Sequence, residues 1–169
     1  LSSGSRLWPI SADEVGVMDR KGSFKVVAVA DGAFRLEADV QPEPQLSEAY
    51  VFRFADTYVL LTNSPYRQRD GVNIQPVQGG YNNPLINGYM YGFDGSTKKQ
   101  LYKTRIEGHG LTLYQPEAVP MLVFASQIYE TPRNGQIRSP QGVVLAIDKR
   151  DGRTLYDKRQ STPINLVDV

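Results

Sequence analysis

The chain is predicted to be all-β, and three observations carry that expectation. Reversal dipeptides recur along its whole length, short runs rich in β-branched and aromatic residues lie between them, and sustained helical spacing of apolar residues is missing. Asp-Gly begins at Asp31, Asp70, Asp94 and Asp151, and Asn-Gly at Asn87 and Asn134. Both dipeptides tolerate positive φ and favour tight turns between strands.

The elements follow in order. Ser11–Met18 is the best helical candidate, but it is too short to stand alone and contains Gly16. Phe24–Ala30, Tyr50–Phe54, Tyr58–Thr62, Tyr89–Phe93, Met121–Ala125 and Val143–Ile147 have strand lengths and strand composition. In Tyr50–Phe54, Phe52 and Phe54 share one face and Arg53 takes the other. Val143–Ile147 is apolar throughout, which suits a strand covered on both faces.

A constant shift that carries Asp94 onto Asp148 also carries Leu101 onto Leu155 and Tyr102 onto Tyr156, without a gap. Each copy reads as an apolar strand, an Asp, a polar turn and a Leu-Tyr strand. Tyr58–Asn63 precedes the first copy and Met121–Ser126 the second, each an apolar strand ending in small polar residues. Before those lie Tyr50–Phe54 and Leu111–Tyr114. Two units of four strands emerge, and four antiparallel strands per repeat make a β-propeller blade.

Ala146, Asp148, Gly152 and Tyr156 carry a resemblance to a known family. Their stretch is similar to the signature Ala-x-Asp-x-x-Thr-Gly-x-x-x-Trp of quinoprotein-like (pyrroloquinoline-quinone-type) propellers. The first copy keeps Asp94 and Thr97 but has Lys98 in place of the Gly, and both copies have Tyr in place of the Trp. Gly4, Leu7 and Trp8 match the Gly-x-x-Leu-Trp end of the signature, which places the start of the chain inside a blade's last hairpin. The expected fold is therefore all-β, a partial β-propeller of about two to three antiparallel four-stranded blades. Residues 1–49 are expected to form an incomplete or irregular blade, 50–105 and 106–159 one blade each, and 160–169 the start of the next strand. A ring needs about four to eight blades, so the remaining blades of a longer parent chain, or other copies, are the implied partners. The resemblance also implies an extracytoplasmic setting, periplasmic or secreted.

Two connections between second and third strands are enlarged, Ser64–Asn87 and Gln127–Gln141, where plain hairpins use about two to five residues. The first offers Tyr66, Arg67, Arg69, Asn73, Gln75, Tyr81, Asn82 and Asn83; the second offers Tyr129, Glu130, Arg133 and Arg138. Tyrosines, amides and arginines recognise partners by stacking and directed hydrogen bonds. These loops form the candidate ligand face, for a protein or a small molecule.

Composition removes several other functions. Lys plus Arg number 19 against 18 Asp plus Glu, a net charge of +1, so nucleic acid and anionic membranes have no electrostatic attraction to this chain. With no Cys there is no disulfide, thiolate metal site or cysteine nucleophile. Apolar runs of about six residues fall far short of the roughly 20 that span a bilayer, and Leu1–Ile10 lacks the pattern of a secretory leader. His109, the single histidine, has no Gly-x-Ser-x-Gly partner and reads as a solvent-facing turn residue. True quinone enzymes are implied to use a tryptophan floor, a disulfide and calcium. Here the only Trp is Trp8 and Cys is absent, so no cofactor, metal or catalytic residue is expected. The function expected is a non-catalytic binding or scaffold segment. The alternative is a piece of a quinoprotein-like oxidoreductase, or another propeller enzyme, whose catalytic residues lie outside this chain.

Overall fold

The computed structural model describes residues 5–67, 71–77, 83–113, 115, 118–130 and 139–162. Among them are twelve strands and no helix. A first sheet has the order β1 (Arg6–Pro9), β2 (Glu14–Met18), β3 (Ser23–Ala28), β4 (Phe34–Asp39). A second runs β5 (Glu48–Phe54), β6 (Thr57–Asn63), β8 (Leu85–Asp94), β9 (Gln100–Gly110). The third runs β12 (Thr154–Gln160), β11 (Gln141–Asp148), β10 (Met121–Glu130), β7 (Val72–Pro76). The chain is all-β and built of four-stranded antiparallel sheets, the unit of a propeller blade.

Several expectations are corrected. Ser11–Met18 is no helix; β2 alternates buried and half-buried side chains with a period of two, the pattern of a strand. Arg6–Pro9 opens a sheet instead of closing a preceding one, because Ile10 and Ser11 donate to the Glu14 carbonyl and turn the chain straight into β2. β1 to β4, from Arg6 to Asp39, form one four-stranded sheet. Asn87-Gly88 makes no turn: both lie inside β8, where a Cβ on Gly88 would strike the Thr62 carbonyl. Of the run Leu111–Tyr114, whose Tyr114 lies outside the described residues, the described part does not supply the first strand of the third sheet. Leu111 makes a single bridge to Phe124, and the sheet is completed by β7, which comes from within the enlarged connection Ser64–Asn87.

Three hairpins share one turn. Ala28, Asp94 and Asp148 donate their amides to the carbonyls of Ala33, Lys99 and Arg153 at 2.9, 3.0 and 2.9 Å. The residue four places after each, Gly32, Lys98 and Gly152, has φ of 70°, 62° and 70°. The strands leaving the first and third turns carry a bulge at equivalent places, opposite Val26/Val27 and Ala146/Ile147. In the second turn the Asp94 carboxylate accepts the amides of Thr97 and Ser96, which holds its pKa below the usual value.

The chain divides into two compact units. The first comprises 1–65, 88–105 and 149–152; the second comprises 66–87, 106–148 and 153–169. In the first unit Met18, Phe24, Val26 and Leu36 pack on Val51, Tyr58, Leu60, Tyr91 and Phe93. The rings of Phe24 and Phe93 lie 5.5 Å apart. Glu14, only 7% exposed, accepts from the Tyr58 hydroxyl at 2.8 Å and from Arg53 at 3.2 Å. In the second unit Ile86, Ile106, Leu111, Leu122 and Phe124 are buried, and β7 pairs with β10.

Candidate functional site

The two enlarged connections meet in the third sheet, inside the second unit. In β7, Val72, Ile74 and Pro76 alternate with Asn73 and Gln75, and the polar pair is exposed. Antiparallel register sets Tyr129 opposite Asn73 and Gln127 opposite Gln75. Residues directly opposite share a face, as do residues two apart. Asn73, Gln75, Gln127 and Tyr129 therefore stand together. The Tyr129 hydroxyl donates to Gln127 Oε1 at 2.6 Å, which orients that amide.

The row continues across the sheet. Gln127 is opposite Gly142, and Gly142 is opposite Gln160. Gly142, which has no side chain, separates Gln127 from Gln160 in this row. On the opposite face of the sheet Arg159 is 2.6 Å from Glu130.

The predicted residues fare unequally. Tyr129 is part of this ladder. Tyr66 is not; its ring end would lie 3.3 Å from a Cβ on Gly108, beside Ile74 and away from the ladder. Asn83 is structural, donating to the Val77 carbonyl at 2.8 Å and accepting from the Leu113 amide at 3.3 Å. Arg67 is exposed. Arg69, Tyr81, Asn82, Arg133 and Arg138 lie outside the described residues. Gln127 and Gln160 were not singled out from the sequence, since Gln160 joins the row only through strand register. Its signal was the period-two placement of Tyr156, Lys158 and Gln160.

His109 is not a solvent-facing turn residue. It lies in β9, half-buried, with its ring 6.5 Å from Phe124 and edge-on to it. Burial pushes its pKa below the usual value, and Asp157 opposes that shift weakly. Ser126 Oγ accepts the Gly110 amide at 2.7 Å, a structural bond. Among the described residues no group of three or more acidic or histidine side chains could hold a metal, and no helix is long and apolar enough to cross a membrane. A cation–aromatic group in the first unit, with Lys103 Nζ 4.2 Å and Arg105 5.0 Å from the Tyr89 ring centre, is tied to Gln41 and the Gly88 carbonyl.

No protein-family model and no curated protein sequence matches the chain. Among solved structures it is similar to BamB from Moraxella catarrhalis, at 13% identity and a TM-score of 0.32 over 90% of this chain and 60% of that one. It is similar to the WD40 domain of coronin from Toxoplasma gondii, at 12% identity and a TM-score of 0.37 over 91% and 44%. It is also similar to the β-propeller domain of Cps50 (Swd1) from Myceliophteria thermophila, at 8% identity and a TM-score of 0.29 over 90% and 72%. The chain thus spans about two fifths to three fifths of the first two proteins. Overlaps at that level describe a resemblance between sheets and assign neither a family nor a function.

Proposed function

We propose that this chain is a non-catalytic segment of a β-propeller that binds a polypeptide partner through the ladder Asn73, Gln75, Gln127, Tyr129 and Gln160. The observation that carries the reading is the register of β7 on β10, which brings side chains from both enlarged connections onto one face. Side-chain amides offer a donor and an acceptor together, matching the pairing of a peptide backbone. Tyr129 adds a flat apolar surface with a polar end, and needs little ordering to do so.

The propeller reading draws its support from the three sheets of one plan and their repeated turn. Membership of the quinoprotein-like group rests on the resemblance around Asp94 and Asp148 alone. The periplasmic or secreted setting rests on that resemblance too.

Photocrosslinking tests the ladder. A crosslinking side chain placed at Gln75 is expected to form an adduct with a partner protein. The yield should fall about tenfold in Asn73→Ala/Tyr129→Ala, the effect of about 1.4 kcal/mol. The same probe at Lys21, an exposed turn residue between β2 and β3, is the control. Equal yields at Gln75 with and without the ladder side chains would overturn the reading.

A further inference from the structure

The first unit shows how one sheet of this chain covers the next. The inner face of the first sheet lies on Tyr58, Leu60, Tyr91 and Phe93 of the second. The same unit shows how an outer strand is closed over by a turn. Tyr102 donates its hydroxyl to the Lys149 carbonyl at 2.8 Å, and Thr104 donates to the Gly152 carbonyl at 3.0 Å. The Tyr102 ring lies so close to Gly152 that a Cβ there would collide with it.

The equivalent face of the third sheet is only partly covered among the described residues: Ala125 and Ala146 are buried, but the larger side chains beside them are not. The shift that takes Tyr102 to Tyr156 and Thr104 to Lys158 takes Met90 to Val144, and by register Val59 to Val123. Val59 and Met90 are 0% exposed, whereas Val123 and Val144 are only half-buried and Tyr156 is 39% exposed. The first sheet has the opposite opening. On its outer face Val15, Val17 and Val27 are half-buried and Phe34 is 55% exposed. Its turn places Gly32 where the third sheet has Gly152, with the same φ, and no atom lies within 4 Å of where its Cβ would stand. One surface is thus the face that a following sheet covers, and the other is the face with which a following sheet does the covering.

We propose that the third sheet of one copy docks the first sheet of a second copy, head to tail, with Tyr156 seated on the Gly32 turn and Val123 and Val144 against Val27 and Phe34. The occupant follows from continuity with the packing inside the first unit, which this contact repeats with equivalent residues. Such a contact is heterologous: two different surfaces meet, and each copy keeps one of each available. The proposal rests on the propeller reading above and uses the Val123–Tyr156 end of the face whose other end carries the ladder.

Sedimentation velocity from micromolar into the millimolar range tests it. Wild type is expected to associate as concentration rises. Tyr156→Asp and Phe34→Asp each change a side chain already exposed, so each should fold, with circular dichroism and urea midpoint near wild type. Each alone is expected to associate at least about tenfold more weakly than wild type. Mixed, the two variants should restore a one-to-one complex, because one keeps an intact first sheet and the other an intact third. A wild type that stays monomeric throughout, variants that associate like wild type, or a mixture that stays monomeric would each overturn the proposal. Asn73, Gln75 and Tyr129 lie farther along the same face, so the Gln75 crosslink is repeated in Tyr156→Asp: an adduct kept there belongs to the ladder, and one lost with the association belongs to this contact.

Discussion

Lys98 and Gly152 occupy the same place in two hairpin turns and share one backbone conformation, with φ of 62° and 70°. For an L-residue that conformation costs about 1–2 kcal/mol, and glycine escapes most of the cost. Lys98 returns some of it by donating its ammonium to the Gly95 carbonyl. Lys98→Gly should therefore raise stability by about 0.5–1 kcal/mol. Gly152→Ala should lower it by about 2 kcal/mol, because the methyl also meets the Tyr102 ring. Urea unfolding of the two variants checks both signs; a destabilised Lys98→Gly would contradict the shared turn.

Glu14 is the buried acceptor that ties Arg53 and Tyr58 to β2. Glu14→Ala leaves the buried Tyr58 hydroxyl without its partner and should cost about 2 kcal/mol; Glu14→Gln keeps an acceptor and should cost less. Arg53 is 45% exposed, so solvent screening limits its share. Burial first, and Glu14 next, push the Tyr58 pKa up to about 12. A raised phenol contributes stability in full below its ordinary value near 10 and loses it as pH climbs to about 12. Tyr58→Phe should flatten part of the alkaline loss, measured as urea midpoints at successive pH values.

Tyr102 and Tyr156 stand on the outer strands of the second and third sheets, as the repeat requires. Their burdens differ. Tyr102→Phe removes a hydrogen bond to Lys149 and should cost about 1 kcal/mol. Tyr156→Phe, at an exposed position, should change stability by less than about 0.5 kcal/mol when the chain is dilute. Similar losses at both sites would mean that Tyr156 is already covered.

Much of the architecture was legible in the sequence because the repeat has local causes. Tyr50–Phe54, Tyr58–Thr62, Tyr89–Phe93, Met121–Ala125 and Val143–Ile147 all fall on strands, Phe24–Ala30 does so as far as Ala28, and the Asp94 and Asp148 hairpins are turns as read. The misses have a different origin. Val72–Pro76 alternates cleanly, but it lies among turn-forming residues and ends in proline, and its partner β10 is far away in sequence. Leu111 looks like a strand residue, is buried and bridges Phe124, but the longer pairing on that edge of β10, opposite Ser126–Glu130, is made by β7. For the candidate site, Tyr129 could be named from composition. Gln127 and Gln160 could not, because register, which no local pattern states, puts them in one row.

His109 gives a pH dependence that can be assigned cleanly, since it is the single histidine. Burial holds its folded pKa below the usual 6.5, so the folded chain binds that proton more weakly than the unfolded one. Its contribution to stability is then complete above about 6.5 and is lost as pH falls through the depressed folded value. Urea midpoints between pH 7.5 and 5 should drop more for wild type than for His109→Gln. Parallel curves would place the imidazole in solvent.

Amide hydrogen exchange at Ala28, Asp94 and Asp148 tests most directly whether three sheets repeat one plan. Each amide closes its hairpin on the carbonyl five residues later. All three should exchange slowly, while the amides of the exposed turn residues Asp31 and Asp151 exchange fast. Rapid exchange at Asp94 or Asp148, with the rest of their strands still protected, would show that the hairpins are not built alike.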